Sequence, residues 1–159
     1  MSGTEPTRAE IVDAPLATTA VIRAVVPMSE LAGFFDRSFG TLMGTIAQQG
    51  VTIVGPAFAL YRSPPTDTAD LEIGFTTDRP VDAGGEVEAS SLGGCRVART
   101  IHAGAYDQLG EAWGRLRAWI AEHDDLTPGG ALWEVYVTQP SPDMDPADLR
   151  TELNWSLES

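Results

Sequence analysis

The chain reads strand–helix–strand–strand, written twice, and no other feature narrows its fold as far. Thr19 to Val26 is β-branched and apolar, which predicts a strand, and Pro27 ends it. Ser29 is the expected N-cap of a helix running to about Gln49. Along it Leu31, Phe34, Phe35, Phe39, Leu42, Met43 and Ile46 recur at spacings of three and four, and Gly50 is the stop. Strands are predicted at Phe58–Arg62 and Leu71–Thr77. Asp78 to Gly94 reads as a linker with a short strand at Glu86–Ala89. The pattern then restarts with a strand at Arg96–His102, a turn at Ala103-Gly104 and a helix over Tyr106–His123. Leu109, Ala112, Trp113, Leu116 and Ile120 share one face of that helix. A loop at Thr127–Gly130 separates it from strands at Leu132–Thr138 and Leu149–Leu157. Short echoes mark the repeat: Arg23-Ala-Val-Val with Arg99-Thr-Ile-His, Phe58-Ala-Leu-Tyr61 with Trp133-Glu-Val-Tyr136, and Ala69-Asp70-Leu71 with Ala147-Asp148-Leu149.

At 159 residues the chain suits one domain with a real core. The expected organisation is a loose tail over residues 1–16, then a single domain over 17–159 built from halves of about 17–80 and 93–159. The predicted fold class is α+β. Tandem βαββ units form one antiparallel sheet with both helices on one face, leaving a ligand groove on the other.

Strand alternation divides Leu132–Thr138 into two faces. Trp133, Val135 and Val137 form the more apolar face, expected to meet the helices. Leu132, Glu134 and Tyr136 would then face the groove, together with Ala57, Ala59 and Tyr61 from the first half. Glu134, opposite a small Ala59, is the one acid in this setting. Two readings of it stand side by side. It is ion-paired with Arg23, Arg62, Arg96 or Arg99, or it lies on a wet sheet face. Alternatively it is a site, attracting a lipophilic cation among aromatic rings or exchanging a proton.

Other residues say less. His102 ends a strand beside Gly104 and is a candidate groove residue, although such a His is more often an ordinary polar group. Trp113 belongs to the core stripe of the second helix but is placed to wall a pocket. His102 and His123 have no metal-ligand spacing, and Asp143, Asp145 and Asp148 lack the Gly and Glu of a calcium loop, so no metal is expected. Cys95 is alone, which excludes an internal disulfide framework, and no paired His identifies it as a nucleophile. No phosphate loop, dinucleotide fingerprint or nucleophile elbow is present.

Charge narrows the partners. The chain carries 23 acidic residues against 10 Arg, a formal net charge of -13 with a pI near 4.3, and no Lys. Such a surface repels phosphates, which argues against direct nucleic-acid binding and against anionic membranes. No apolar run approaches the ~20 residues of a membrane span. The first residues lack the basic start and apolar core of a secretory signal, so the expected location is the cytoplasm. The Lys-free, Ala-, Gly-, Pro- and Arg-rich composition points to a GC-rich bacterial genome.

Gly104-Ala-Tyr106-Asp-Gln-Leu109, Ala112-Trp113, Leu116, Trp119-Ile120, Leu132-Trp-Glu134-Val-Tyr136, Asp145-Pro146 and Thr151-Glu-Leu153 together resemble the GyrI-like small-molecule-binding family. That family also supplies effector-binding domains of AraC- and MerR-type transcription regulators, and it is similar to the SOUL haem-binding fold. The resemblance spans about Thr19 to Leu157 and is most specific in the second half. It implies a central groove that binds bulky aromatic or cationic compounds, with Glu134 as the groove acid and Tyr136 as its aromatic neighbour. An axial haem ligand could come only from the two His, Cys95 or the Met residues, and no motif supports one, so no cofactor is expected. No helix-turn-helix precedes residue 19, so the expectation is a stand-alone member.

The leading expectation is therefore a multidrug-type effector-binding or sequestering module for hydrophobic, cationic aromatic molecules. Glu134, Tyr136, Tyr61, Trp113, Tyr106, His102 and Ala59 are its ligand-binding candidates. One alternative is hydrolysis of electrophilic, for example cyclopropane-type, compounds, with Glu134 and Tyr136 catalytic and Tyr106 as a further hydrogen-bond donor. Another is an interaction module whose acidic surface mimics DNA toward gyrase or a transcription regulator.

Overall fold

In the computed structural model, residues 7–63, 65–82, 85–138 and 143–158 are described. The elements are β1 (Thr7–Ala14), β2 (Ala17–Pro27), α1 (Leu31–Gln48), β3 (Ile53–Tyr61), β4 (Thr68–Thr77), β5 (Val87–Leu92), β6 (Cys95–Ala103), α2 (Leu109–Ala121), β7 (Thr127–Tyr136) and β8 (Arg150–Glu158). The strands form one antiparallel sheet in the order β1-β6-β8-β7-β3-β4-β2-β5. The repeat is visible in that order: β3-β4-β2 on one side of the β3–β7 seam, β7-β8-β6 on the other. The α+β class, the antiparallel sheet and the two helices are as the sequence indicates.

Three local expectations change. Residues 7–14, placed in a loose tail, form an edge strand that pairs Ile11 with Ala98 and Val12 with Val97. Exposed Glu10 and Asp13 hide its alternation, as charges on edge strands often do. Residues 1–6 of that tail lie outside the described residues. Ser29 does not cap α1. It sits within a 3-10 turn, Met28–Glu30, and Glu30 occupies the cap position with no side-chain cap bond. Thr127–Gly130, expected as a loop, is the start of β7. Here the ladder to β8 shifts register between Pro128 and Leu132, and Gly129 lies so close to Ser156 that an added Cβ would come within 2.6 Å of its Oγ. Turn-type residues here make an irregular strand rather than a connection.

The edge strands are exchanged between halves. β1 precedes β2 yet pairs with β6, and β5 precedes β6 yet pairs with β2. Each link is two residues long, Pro15–Leu16 and Gly93–Gly94. In a flat sheet β1 and β2 would stand about 29 Å apart, six strand spacings. Three peptide units reach at most about 11 Å. The sheet must therefore curl until its two edges meet. The links cross there, and Gly93 and Gly94 adopt left-handed φ values of 86° and 76°.

Curling gives the sheet two different faces. Its helix-free face closes on itself: Ala14, Val97 and Trp133 cluster with Leu60, Leu92 and Val135, drawn from both edges and the middle. Phe58 and Asn154 are buried on this face without any helix over them. The other face carries α1 and α2 and the main core, including Leu42, Ile46, Leu71, Ile73, Leu116, Ile120 and Leu153. No helix of the described residues is long and apolar enough to cross a membrane.

Candidate functional site

Alternation assigns Leu132, Glu134 and Tyr136 to one face and Trp133 and Val135 to the other, and the structure keeps that grouping. It reverses which face meets the helices. The Trp133 face fills the interior of the curl, so the groove lies on the helix face, between α1 and α2 and over the β3–β7 seam. It does not lie on the opposite side. The apolarity of the Trp133 face was a sound guide to burial, but the sheet itself buries it. The cavity is about 1360 Å³.

Glu134 is the floor of this groove and only 5% exposed. Its Oε2 accepts the indole N–H of Trp113 at 2.8 Å, and its Oε1 accepts the Tyr136 hydroxyl at 2.8 Å. Both donors are neutral. Among the described residues no Arg lies within ion-pair distance of Glu134. Arg23 and Arg62 pair with Asp70, Arg62 also reaches Glu72 at 3.1 Å, and Arg99 pairs with Glu152. The ion-pair reading of Glu134 is thereby set aside.

Burial pushes the Glu134 carboxyl above its ordinary pKa, against the pull of the Trp113 and Tyr136 hydrogen bonds and the nearby His102. Tyr61, Tyr106 and Tyr136 are all pushed up, first by burial and then by the Glu134 charge. These phenols thus stay protonated and remain available as donors.

Tyr61 lies opposite Leu132, two ladder rows from Glu134 and so on the same face, and lines the groove. Tyr106 stands at the mouth, 36% exposed, edge-on to Tyr136 at 5.8 Å between ring centroids. Trp113 forms a wall, edge-on to Trp155 at 5.7 Å. Trp155 is a groove residue that the sequence reading missed. So are Phe35, Phe39 and Phe75 on the α1 side. Their signal was present in the repeat, since Phe35 stands where Trp113 stands in the other half.

Two candidates lie elsewhere. Ala59 is directly opposite Glu134 in the ladder, but it is fully buried beneath the groove and does not line it. His102 is also behind the surface, 4% exposed. Its Nε2 donates to the Ala105 carbonyl at 3.0 Å. Its Nδ1, and the Thr151 Oγ1 across the β6–β8 ladder, are buried without a partner among the described residues.

The internal alignment also shifts. Counting two residues from the equivalent Leu71 and Leu149, Ile73 lies opposite Ala59 whereas Thr151 lies opposite Tyr136. Tyr136 therefore corresponds to Ala59, and Glu134 to Ala57. Tyr61 and Tyr136 are not equivalent, although both stand in the groove. Cys95 is half-buried with its thiol pushed up by burial, an inert setting.

A family model described as the GyrI-like small molecule binding domain matches residues 8–157. No curated protein matches the chain. Among solved structures, EcmrR in its DNA complex superposes with a TM-score of 0.83 at 19% identity, covering 96% of this chain and 57% of that one. The present chain thus spans little more than half of that protein. The isolated EcmrR C-terminal domain gives 0.81 at 18% identity, over 96% of this chain and 98% of that one. A hydrolase from Listeria innocua gives 0.70 at 12% identity, over 96% and 92%. SAV2435 bound to tetraphenylphosphonium gives 0.69 at 14% identity, over 96% and 94%. At these identities the likeness is one of fold.

Proposed function

The chain belongs to the family of GyrI-like small-molecule-binding domains, and we propose that its groove takes bulky, hydrophobic, cationic aromatic compounds, as an effector-binding or sequestering module. The observation that carries this reading is Glu134: a carboxyl buried to 95%, held by two neutral donors, with no Arg within ion-pair distance among the described residues. An ionised group so placed is costly unless a positive charge joins it. A ligand cation supplies that charge, and the rings of Tyr61, Tyr106, Tyr136 and Trp113 offer faces and edges around it. A carboxyl whose ionised form burial disfavours also discriminates, because a neutral ligand does nothing to stabilise that form. SAV2435, which shares the fold, is solved with a ligand of this kind.

The test is calorimetric titration with tetraphenylphosphonium and with neutral triphenylphosphine oxide across pH. The cation should bind much the more tightly and release a proton on binding, read as a dependence of the heat on buffer ionisation enthalpy. Its affinity should fall as pH drops through the raised Glu134 pKa, because the carboxyl then keeps its proton, while the neutral compound shows no such slope. Equal affinities at every pH would overturn the reading.

Hydrolysis is a second reading, favoured by one observation. A buried carboxylate with a raised pKa can take a proton from water beside a groove-bound electrophile, with the Tyr106 hydroxyl at the mouth as a donor. It predicts turnover: mass spectrometry of an epoxide- or cyclopropane-bearing aromatic after long incubation should show the water adduct, lost in Glu134→Gln. Recovery of unchanged compound would sink it for that compound.

A further inference from the structure

The two ends of the groove are equivalent by the internal repeat. α1 opens at Leu31 and α2 at Leu109, 78 residues apart, as are Leu71 and Leu149. At that spacing the groove-lining residues correspond in pairs: Met28 with Tyr106, Leu31 with Leu109, Phe35 with Trp113 and Phe39 with Arg117. On the floor, the ladder equates Ala57 with Glu134 and Ala59 with Tyr136. Glu134, its two hydrogen-bond donors, Tyr106 and Arg117 thus have apolar counterparts. Ala57 replaces the carboxylate, Phe35 and Ala59 replace its two hydrogen-bond donors, and Met28 replaces the Tyr106 hydroxyl.

The α1 end is therefore a copy of the acid end with the polar chemistry removed and the floor lowered to alanine. Three rings wall it: Phe35 and Phe39 at 6.1 Å and Phe39 and Phe75 at 5.6 Å between centroids, all half-buried. Its one nearby carboxylate, Asp36, is exposed on α1, where water screens it. The cavity of about 1360 Å³ also exceeds the upper end, about 1,000 Å³, of sites that hold one drug-sized molecule. A single cation over Glu134 leaves the far end with three aromatic walls and nothing against them.

We propose that the Phe35–Phe39–Phe75 end of the groove is a second subsite, for a neutral aromatic ring system, filled at the same time as the acid end. This rests on the cation reading only for what occupies the acid end. The occupant is neutral because a charge there would lose its hydration with no partner in return. Stacked and edge-on contacts with the three phenyl rings supply the attraction.

The experiment uses N-phenyl-1-naphthylamine, a neutral fluorescent probe, and tetraphenylphosphonium. The probe should bind the wild-type protein, and saturating tetraphenylphosphonium should change its dissociation constant by less than about threefold. Phe39→Ala should weaken the probe by about tenfold or more and leave the phosphonium within about threefold, with Phe35→Leu as a milder second variant and thermal melts to confirm folding. Glu134→Gln should do the reverse. Displacement of the probe by the phosphonium, equal sensitivity of both ligands to both substitutions, or no probe binding up to its solubility limit would overturn the second subsite. If the phosphonium fails to bind wild type while the probe binds and responds to Phe39, the cation reading falls and the neutral subsite stands.

Discussion

Glu134→Gln is expected to weaken tetraphenylphosphonium binding by about ten- to a hundredfold, and at the same time to raise the melting temperature of the ligand-free protein. Gln has the same shape, and its amide can still engage Trp113 Nε1 and Tyr136 Oη, so packing at the groove floor is preserved. What disappears is the charge. In the complex that charge meets the cation. In the free protein that charge is buried and hydrogen-bonded only to neutral donors, so removing it should stabilise by about 1 kcal/mol, roughly 2–4 °C for a chain of this size.

The pH dependence gives the effect a sign. Burial raises the folded-state pKa of Glu134 above its unfolded value. The stability this contributes is fully present below the unfolded pKa and is lost as pH rises through the folded one. The advantage of the Gln variant should therefore be absent in acid and grow through that window. Melting curves and calorimetry on the same two proteins check both halves. A Gln variant that binds the cation as well as wild type, or that is less stable at neutral pH, would contradict this account of the site.

Gly93→Ala is expected to be strongly damaging for so small a substitution. Gly93 holds φ at 86°, and a Cβ there would stand 2.3 Å from the Pro15 carbonyl oxygen. That oxygen belongs to the other of the two short links that close the sheet, so neither side can yield without opening the curl. Backbone strain and the backbone clash together should cost about 3 kcal/mol or more, a fall of roughly 6–12 °C in melting temperature. Gly44→Ala supplies the contrast, since it lies in α1 with nothing within 4 Å of the added Cβ and should stabilise by about 0.5–1 kcal/mol. Thermal and denaturant unfolding of the two variants would read the difference. A Gly93→Ala protein as stable as wild type would mean that the crossing of the links does not hold the sheet closed.

Much of the fold is legible in sequence because its signals are local. The three-and-four spacing of Phe34, Leu42 and Ile46 marks α1 whatever α1 packs against, and all three are buried. The alternation in Leu132–Tyr136 groups Glu134 with Tyr136 for the same reason, and the two do share a face. The Gly93–Gly94 pair marks a link by its residue types alone, but its sequence does not say that it touches Pro15 from the far edge of the sheet. β1 escaped notice because an edge strand needs only one good partner, and that partner lies more than 80 residues away. The missed groove residues Phe35, Phe39 and Phe75 read as core because a helix's apolar stripe looks the same whether it meets a sheet or a cavity.

By itself, then, the sequence determined the two repeats, their elements, the pairing of Glu134 with Tyr136 on one strand face, and the absence of an acid at the equivalent place in the first half. Only the tertiary structure decided which face of the sheet the helices cover, and with it where the groove opens. A strand with one very apolar face and one mixed face can bury either. The choice falls to the sheet's curl, which follows from two two-residue links joining strands at opposite edges. Once the curl fills its interior with Trp133, Phe58 and Val97, the mixed face is left to the helices. Glu134 is then enclosed by Trp113 and Tyr136 instead of facing open water.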